Sequence, residues 1–422
     1  MKYSGVEWIG VIPDNWKLNK IGQLFNLRNE KVSDKDYAPL SVSKGGVIPQ
    51  MESVAKSDAS DDRKLVMTGD FAINSRSDRK MSCGVSSLDG SVSLINTILY
   101  PKNSNVIYND YMNYLLKNYG FAEEFYRWGH GIVADLWTTK WQEMKGIILP
   151  LPSLDMQKKI FDSLNVKTAE IDSLIEIENQ QIEKLKEYKQ AVITEAVTRG
   201  LDKDAPLKDS GVEWIGKIPE DWRIKRAKFI AEEFVKGSGI TKEDVVIDGD
   251  IPCVRYGEIY TKYDNYFNEC ATRTNLSNVP SPTFIEKGDL LFTCTGELVE
   301  EIGKNVLYLG EEKCLAGGDI IVMKHKQHPG FINYAMNCTR SQMQKSYGKA
   351  KLKVVHISTL GIGNVYVCLP SYAEQKNIAD YLDDFTESIN EIILIKQQKI
   401  CQLDEYKKSI IYEYVTGKKE VC

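Results

Sequence analysis

Apolar residues recur at three- and four-residue steps along two long stretches of the chain. The first runs through Leu164, Ile171, Leu174, Ile175, Ile182, Leu185, Tyr188, Val192 and Ala196. The second runs through Leu382, Ile389, Ile392, Ile393, Ile400, Leu403, Tyr406, Ile410 and Tyr414. That spacing is the period of a helix with one apolar stripe, and neither stretch holds a Pro or Gly between about residues 154 and 198 or 372 and 416. Pro152-Ser153 and Pro370-Ser371 mark the starts, with Ser371 and Glu374 in the spacing of a capping box. The first copy has Met156 where the box needs Glu, while Gly200 and Gly417 mark the ends.

Forty residues of helix span about 60 Å. A helix that long with a single apolar stripe needs a partner, and its own copy is the best one available. A dyad across their axes makes the two run antiparallel. The predicted seam comprises Ile171, Ile175, Ile182, Leu185 and Tyr188 against Ile389, Ile393, Ile400, Leu403 and Tyr406.

Elsewhere the pattern changes. Gly146–Pro150, Ile251–Arg255 and Asp319–Met323 are short, β-rich runs bounded by turn residues, and Asp110–Phe125 reads as a helix. Gly69-Asp-Phe-Ala-Ile73 resembles Gly288-Asp-Leu-Leu-Phe292, which predicts one fold for both blocks.

The chain also repeats itself. SGVEWIGVIPDNW, from Ser4 to Trp16, returns as SGVEWIGKIPEDW, from Ser210 to Trp222, with 10 of 13 positions identical at an offset of 206. Leu151–Thr198 aligns without a gap on Leu369–Thr416 at an offset of 218, with 22 of 48 identical, including Gln157/Gln375 and the Glu-Tyr-Lys triplets at 187 and 405. Similar frames therefore enclose blocks that differ in length and sequence.

The expected fold class is α+β: two pseudo-symmetric α/β domains separated by a long antiparallel two-helix coiled coil. The expected boundaries are 1–150 for the first domain, 151–200 for the first helix and 201–209 for a polar linker. The second domain takes 210–368, and 369–422 holds the second helix and tail. Trp8, Trp16, Trp214 and Trp222 belong to the repeated frame and are expected to wedge each domain against the coil.

Composition narrows the class. Its 422 residues, 42% hydrophobic and 27% charged, are those of a globular protein. No apolar run is long enough for a membrane helix, and the start lacks a signal peptide's apolar segment. Nine cysteines without a C-x-x-C suit free thiols in a reducing cytoplasm. The net charge of −5 is concentrated outside the variable blocks. Residues 17–150 carry 17 Lys/Arg against 15 Asp/Glu, and 223–368 carry 19 against 17, so each block is +2. Acidity in the connecting segments leaves both blocks free to approach a polyanion.

The paired SGVEWIGxIPxxW openings, the LPS-x(3)-QK entries at Leu151 and Leu369 and the paired Glu-Tyr-Lys helices resemble the specificity subunit of Type I restriction–modification systems. The resemblance spans essentially the whole chain. It implies a non-catalytic subunit whose two target-recognition domains read a bipartite duplex. It also implies two methyltransferase subunits using S-adenosylmethionine, and restriction–translocation subunits using ATP and Mg. No cofactor is expected on this chain, nor a membrane partner. Half-sites on one face of B-DNA recur about every 34 Å, so coil length becomes spacer length.

Candidate DNA contacts follow from residue type and loop position. Arg76, Arg79 and Lys80 lie after a predicted strand, and Arg127 and His130 flank a glycine loop. The aligned loop offers Lys345, Tyr347, Lys349, Lys351 and Lys353, and Arg255 with Tyr256 follows another strand. Arginine suits guanine O6/N7 and lysine suits phosphate. In the family, the glycine-containing loop before the last strand tends to face DNA.

Catalytic motifs are missing from the sequence. There is no phosphate loop and no Pro-Pro pair of an amino-methyltransferase motif. His325-x-x-His328 near Cys314 reads as a surface loop rather than a zinc site. The rival readings are an enzyme with an unrecognised nuclease or methyltransferase site, and a bridging scaffold that does not read DNA.

Overall fold

A computed structural model describes residues 1–50, 62–131, 137–296, 298–349 and 355–421. The chain folds as two compact units: Met1–Asn179 with Gln397–Cys422, and Gln180–Lys396. The two long helices, Leu154–Arg199 and Tyr372–Val415, each contribute one portion to each unit. They are unbroken for 46 and 44 residues, about 69 and 66 Å at 1.5 Å per residue.

Within both units the helix portions run antiparallel. In the first unit Lys407 Nζ meets Asp172 at 2.6 Å and Lys399 Nζ meets Glu178 at 2.6 Å. In the second, Lys396 bonds Gln181 and Lys189 Nζ donates to Asn390 Oδ1 at 2.9 Å. Partner numbers fall as the first helix's numbers rise, which only an antiparallel pair produces. Ile171, Ile182 and Ile389 are buried, while Ile175, Leu185, Ile393, Ile400 and Leu403 are half-buried. Tyr188 and Tyr406 of the predicted seam are about half exposed, at 54% and 53%. Tyr188 still reaches across the pair, its ring edge-on to Phe385 of the second helix at 5.6 Å.

The first unit's main sheet has four antiparallel strands in the order Cys83–Val85, Phe71–Asn74, Asn96–Pro101, Phe25–Arg28. The second unit's has five, ordered Ala231–Lys236, Ile320–His325, Leu290–Thr293, Asn305–Tyr308, Tyr266–Phe267. The equivalent runs Phe71–Asn74 and Leu290–Thr293 sit centrally, which explains why their sequences read as nearly continuous apolar stretches. The expected helix over Asp110–Phe125 is two helices, Asn109–Leu116 and Tyr119–Arg127. Asn118 breaks it: its Oδ1 accepts from Phe121 N at 2.9 Å while its Nδ2 donates to Leu115 O at 2.7 Å. A capping side chain thus overrides the apolar period. In the predicted linker, Leu207–Asp209 forms a strand paired with Lys217–Pro219.

The two sequence repeats meet in one ladder per unit, in one register. Lys17–Lys20 pairs with Ile148–Leu151, Lys20 opposite Ile148. Arg223–Arg226 pairs with Tyr366–Leu369, Arg226 opposite Tyr366. Just beyond each ladder a buried glutamine fixes the start of the long helix. Gln157 accepts from Tyr108 N at 2.9 Å and donates to Pro152 O at 3.1 Å. Gln375 accepts from His328 N at 3.0 Å and donates to Pro370 O at 3.0 Å.

Trp8 and Trp16 join a core containing Ile410, Tyr414 and Val415, and Trp222 joins one containing Ile193, Ala196 and Val197. Trp214 differs in being half-buried, edge-on to Tyr347 at 4.8 Å. The capping box at Ser371 is half made. Glu374 N donates to Ser371 Oγ at 3.3 Å, but the Glu374 carboxylate accepts the Trp222 indole N–H at 3.1 Å.

Candidate nucleic-acid interface

In the first unit, two loops meet beyond the end of strand Phe71–Asn74. Thr139 N donates to Ser75 O and Ser77 N to Trp137 O, both at 2.9 Å, so Arg76 stands opposite Thr138. Thr138 also bridges His130, exchanging both backbone bonds at 3.1 and 3.2 Å. The Tyr126 hydroxyl donates to Asn74 O and Arg79 O at 3.2 Å, tying the first loop to the helix that ends at Arg127. The fold thus brings Arg76, Arg79, Lys80, Arg127 and His130 into one loop cluster, although up to 54 residues separate them in sequence.

The cluster is less basic than its sequence suggests. Arg76 grips Asp78 through two bonds at 2.9 and 3.1 Å, and Lys80 pairs with Glu123. Arg127 pairs with Glu124 at 2.8 Å and Glu7 at 3.3 Å. Arg79 reaches Asp78 only at 3.8 Å, with its side chain 67% exposed. A polyanion binding here exchanges phosphate or base acceptors for these carboxylates.

The second unit repeats the backbone arrangement with other side chains. Ile357 N donates to Cys294 O at 2.8 Å, and Thr295–Gly296 pairs with Val355–His356, Thr295 opposite His356. Lys349 Nζ donates to His356 O at 2.6 Å and is half-buried, and Tyr347 is 70% exposed. Lys351 and Lys353 lie outside the described residues.

Lys345 is a correction: it is buried, not at the surface. Its ammonium donates to Gly303 O at 2.6 Å and Met336 O at 2.9 Å, over the Phe292 ring. Burial pushes its pKa down to about 7. The helix runs on through Ser346 and the exposed loop begins at Tyr347, so the helix turns this lysine inward before the loop starts.

Arg255 caps the helix Tyr256–Thr261. Its N–H donates to Glu258 Oε2 at 2.9 Å and its guanidinium reaches Glu258 Oε1 at 3.4 Å, which leaves the side chain 28% exposed. Tyr256 is exposed, and Tyr260 on the same helix donates to Thr295 O at 3.2 Å. The helix therefore abuts the Thr295 ladder.

Thr138, Thr295 and His356 were not singled out by residue type. The signal was available in the match between Gly69–Ile73 and Gly288–Phe292: carrying that offset of 219 three residues further sets Thr295 on Arg76. Among the described residues, no His, Cys, Asp and Glu side chains cluster as a metal site. None of the described helices is long and apolar enough to cross a membrane.

Known proteins share this arrangement. Residues 219–402 match the family model of the Type I restriction modification DNA specificity domain. That stretch carries the Type I specificity domain. Two curated relatives come from Methanocaldococcus jannaschii. The chain assigned as the MjaX type I restriction enzyme specificity subunit is 24% identical over 442 residues, covering 98% of this chain and 96% of that one. The MjaVIII specificity subunit is 25% identical over 286 residues, 66% of this chain and 63% of that one. Among solved structures, a chain from work on complex assembly and conformational transition of the type I R-M system superposes with a TM-score of 0.72 at 12% identity. The match covers 97% of this chain and 100% of that one. The HsdS subunit from Thermoanaerobacter tengcongensis gives 0.50 at 14% identity, covering 97% and 98%. At these identities the superpositions speak for the fold alone.

Proposed function

We propose that this chain is a specificity subunit that reads a bipartite duplex target, one half through each unit, and is itself non-catalytic. The observation that carries the reading is the shared ladder beyond Phe71–Asn74 and Leu290–Thr293. Backbone bonds are repeated from unit to unit while the outward side chains differ, Arg76 and Thr138 in one, Thr295 and His356 in the other. A common scaffold with unlike reading surfaces is what an asymmetric, split target requires.

The long helices then set the distance between half-sites and dock two methyltransferase subunits. Leu174 and Ile177 on the first helix and Ile392, Leu394 and Ile395 on the second are exposed apolar side chains that support such docking. Restriction–translocation subunits complete the assembly. S-adenosylmethionine belongs to the methyltransferase subunits, and ATP and Mg to the restriction subunits. The complex operates in the cytoplasm, where its DNA lies.

Co-expression with the cognate methyltransferase subunit, followed by sequencing of methylated adenines, tests this. A split motif with a fixed spacer is expected. Modification or cleavage of DNA by the purified chain alone would support the enzyme reading instead.

A further inference from the structure

We infer that His356 is a base-reading residue of the second unit, positioned by Thr295, on the rung equivalent to the one that carries Arg76 in the first unit. The inference rests on the DNA-reading role proposed above and names the residue that performs it.

The equivalence is built from backbone geometry. Thr139 N bonds Ser75 O at 2.9 Å in the first unit, and Ile357 N bonds Cys294 O at 2.8 Å in the second. The next rung sets Arg76 opposite Thr138 and Thr295 opposite His356. Ser75, Thr139, Cys294 and Ile357 are all buried, so strand alternation turns the rung's own side chains away from the core.

Each rung therefore presents one threonine and one larger nitrogen-bearing side chain, and the two units place them on opposite strands. In the second unit the rung is already organised. Thr295 Oγ1 lies 3.1 Å from His356 Nδ1, and Lys349 Nζ bonds the His356 carbonyl at 2.6 Å. The hydroxyl uses Nδ1 and holds the exposed ring with Nε2 as its outward polar atom. With the hydroxyl donating, Nε2 carries the proton and donates to an acceptor on a base edge, guanine O6 or N7 or thymine O4. Thr295 acts through His356 and is a positioning residue.

The test uses the full chain co-expressed with its methyltransferase subunit, with methylated sites mapped for wild type, His356→Ala, His356→Gln, Thr295→Val and Arg76→Ala. His356→Ala should relax one position of one half-site from a single base to two or more, leaving the other half unchanged. Thr295→Val should relax the same position to a smaller extent, and Arg76→Ala should relax the opposite half. Should the alanine variant not fold, His356→Gln is read in its place. An unchanged motif for soluble His356 variants, with Arg76→Ala still altering one half, overturns the role of His356 and leaves DNA reading intact. An unchanged motif for every variant, including exchange of residues 17–150, overturns DNA reading itself.

Discussion

Gly417 ends the second long helix at φ +69°, and a β-carbon there would lie 2.4 Å from Cδ of Pro13, at the other end of the sequence. Trp16 approaches the same point at 3.1 Å. The opening frame therefore seals the end of a helix more than 400 residues away, and the site accepts only glycine. Gly417→Ala should cost the left-handed backbone term of about 1–2 kcal/mol plus a steric term. Gly211→Ala, at φ +71° with nothing within 4 Å, should cost the backbone term alone. Thermal unfolding of both variants measures the difference.

Lys345 makes stability depend on pH. Its folded pKa of about 7 lies below the ordinary lysine value of 10.5, so between those limits the unfolded chain binds more protons. Stability from this group therefore rises as pH increases from about 7 towards 10.5, and levels off below 7, where the amine is protonated in both states. Lys345→Met should flatten that slope while leaving Gly303 O and Met336 O without their donor. Denaturant midpoints at pH 6.5, 8 and 9.5 for both proteins check the sign.

The helix pair should depend on its apolar contacts far more than on its ion pairs. Lys407→Ala removes a solvent-exposed contact with Asp172 and should cost about 0.2–1 kcal/mol. Ile410→Ala, at a buried position, should cost about 2–5 kcal/mol. Similar losses from both variants would contradict this ranking.

Coil length should govern spacer length. Adding seven residues to each helix, beside the paired Gln181 and Lys396, lengthens the pair by about 10 Å at 1.5 Å per residue. Seven residues nearly complete two turns and keep the helix faces aligned. The methylated motif should gain about three base pairs of spacer at 3.4 Å per pair. An unchanged spacer would separate helix length from target geometry.

Much of the fold was legible because it repeats. Offsets of 206 and 218 foretold that Lys17–Lys20 and Ile148–Leu151 have counterparts in Arg223–Arg226 and Tyr366–Leu369, although only the structure shows them as partners. The long helices announced themselves by period. Asn118 was less visible, since a single capping side chain cut a helix whose apolar spacing runs on. The candidate site was harder still. Residue type favoured cations, yet Lys345 is inside, and Arg255 is held by the helix it caps. Charge alone does not say which way a side chain faces. The rung at Thr295 and His356 carries no unusual composition, and it emerges only when two loops are brought side by side.

Exchange of residues 17–150 for the corresponding block of a specificity subunit with a different target tests the central claim most directly, with methylated sites mapped before and after. One half of the motif should change while the other half and the spacer persist. A motif that stays whole after the exchange, in a soluble and active complex, would contradict reading by that unit.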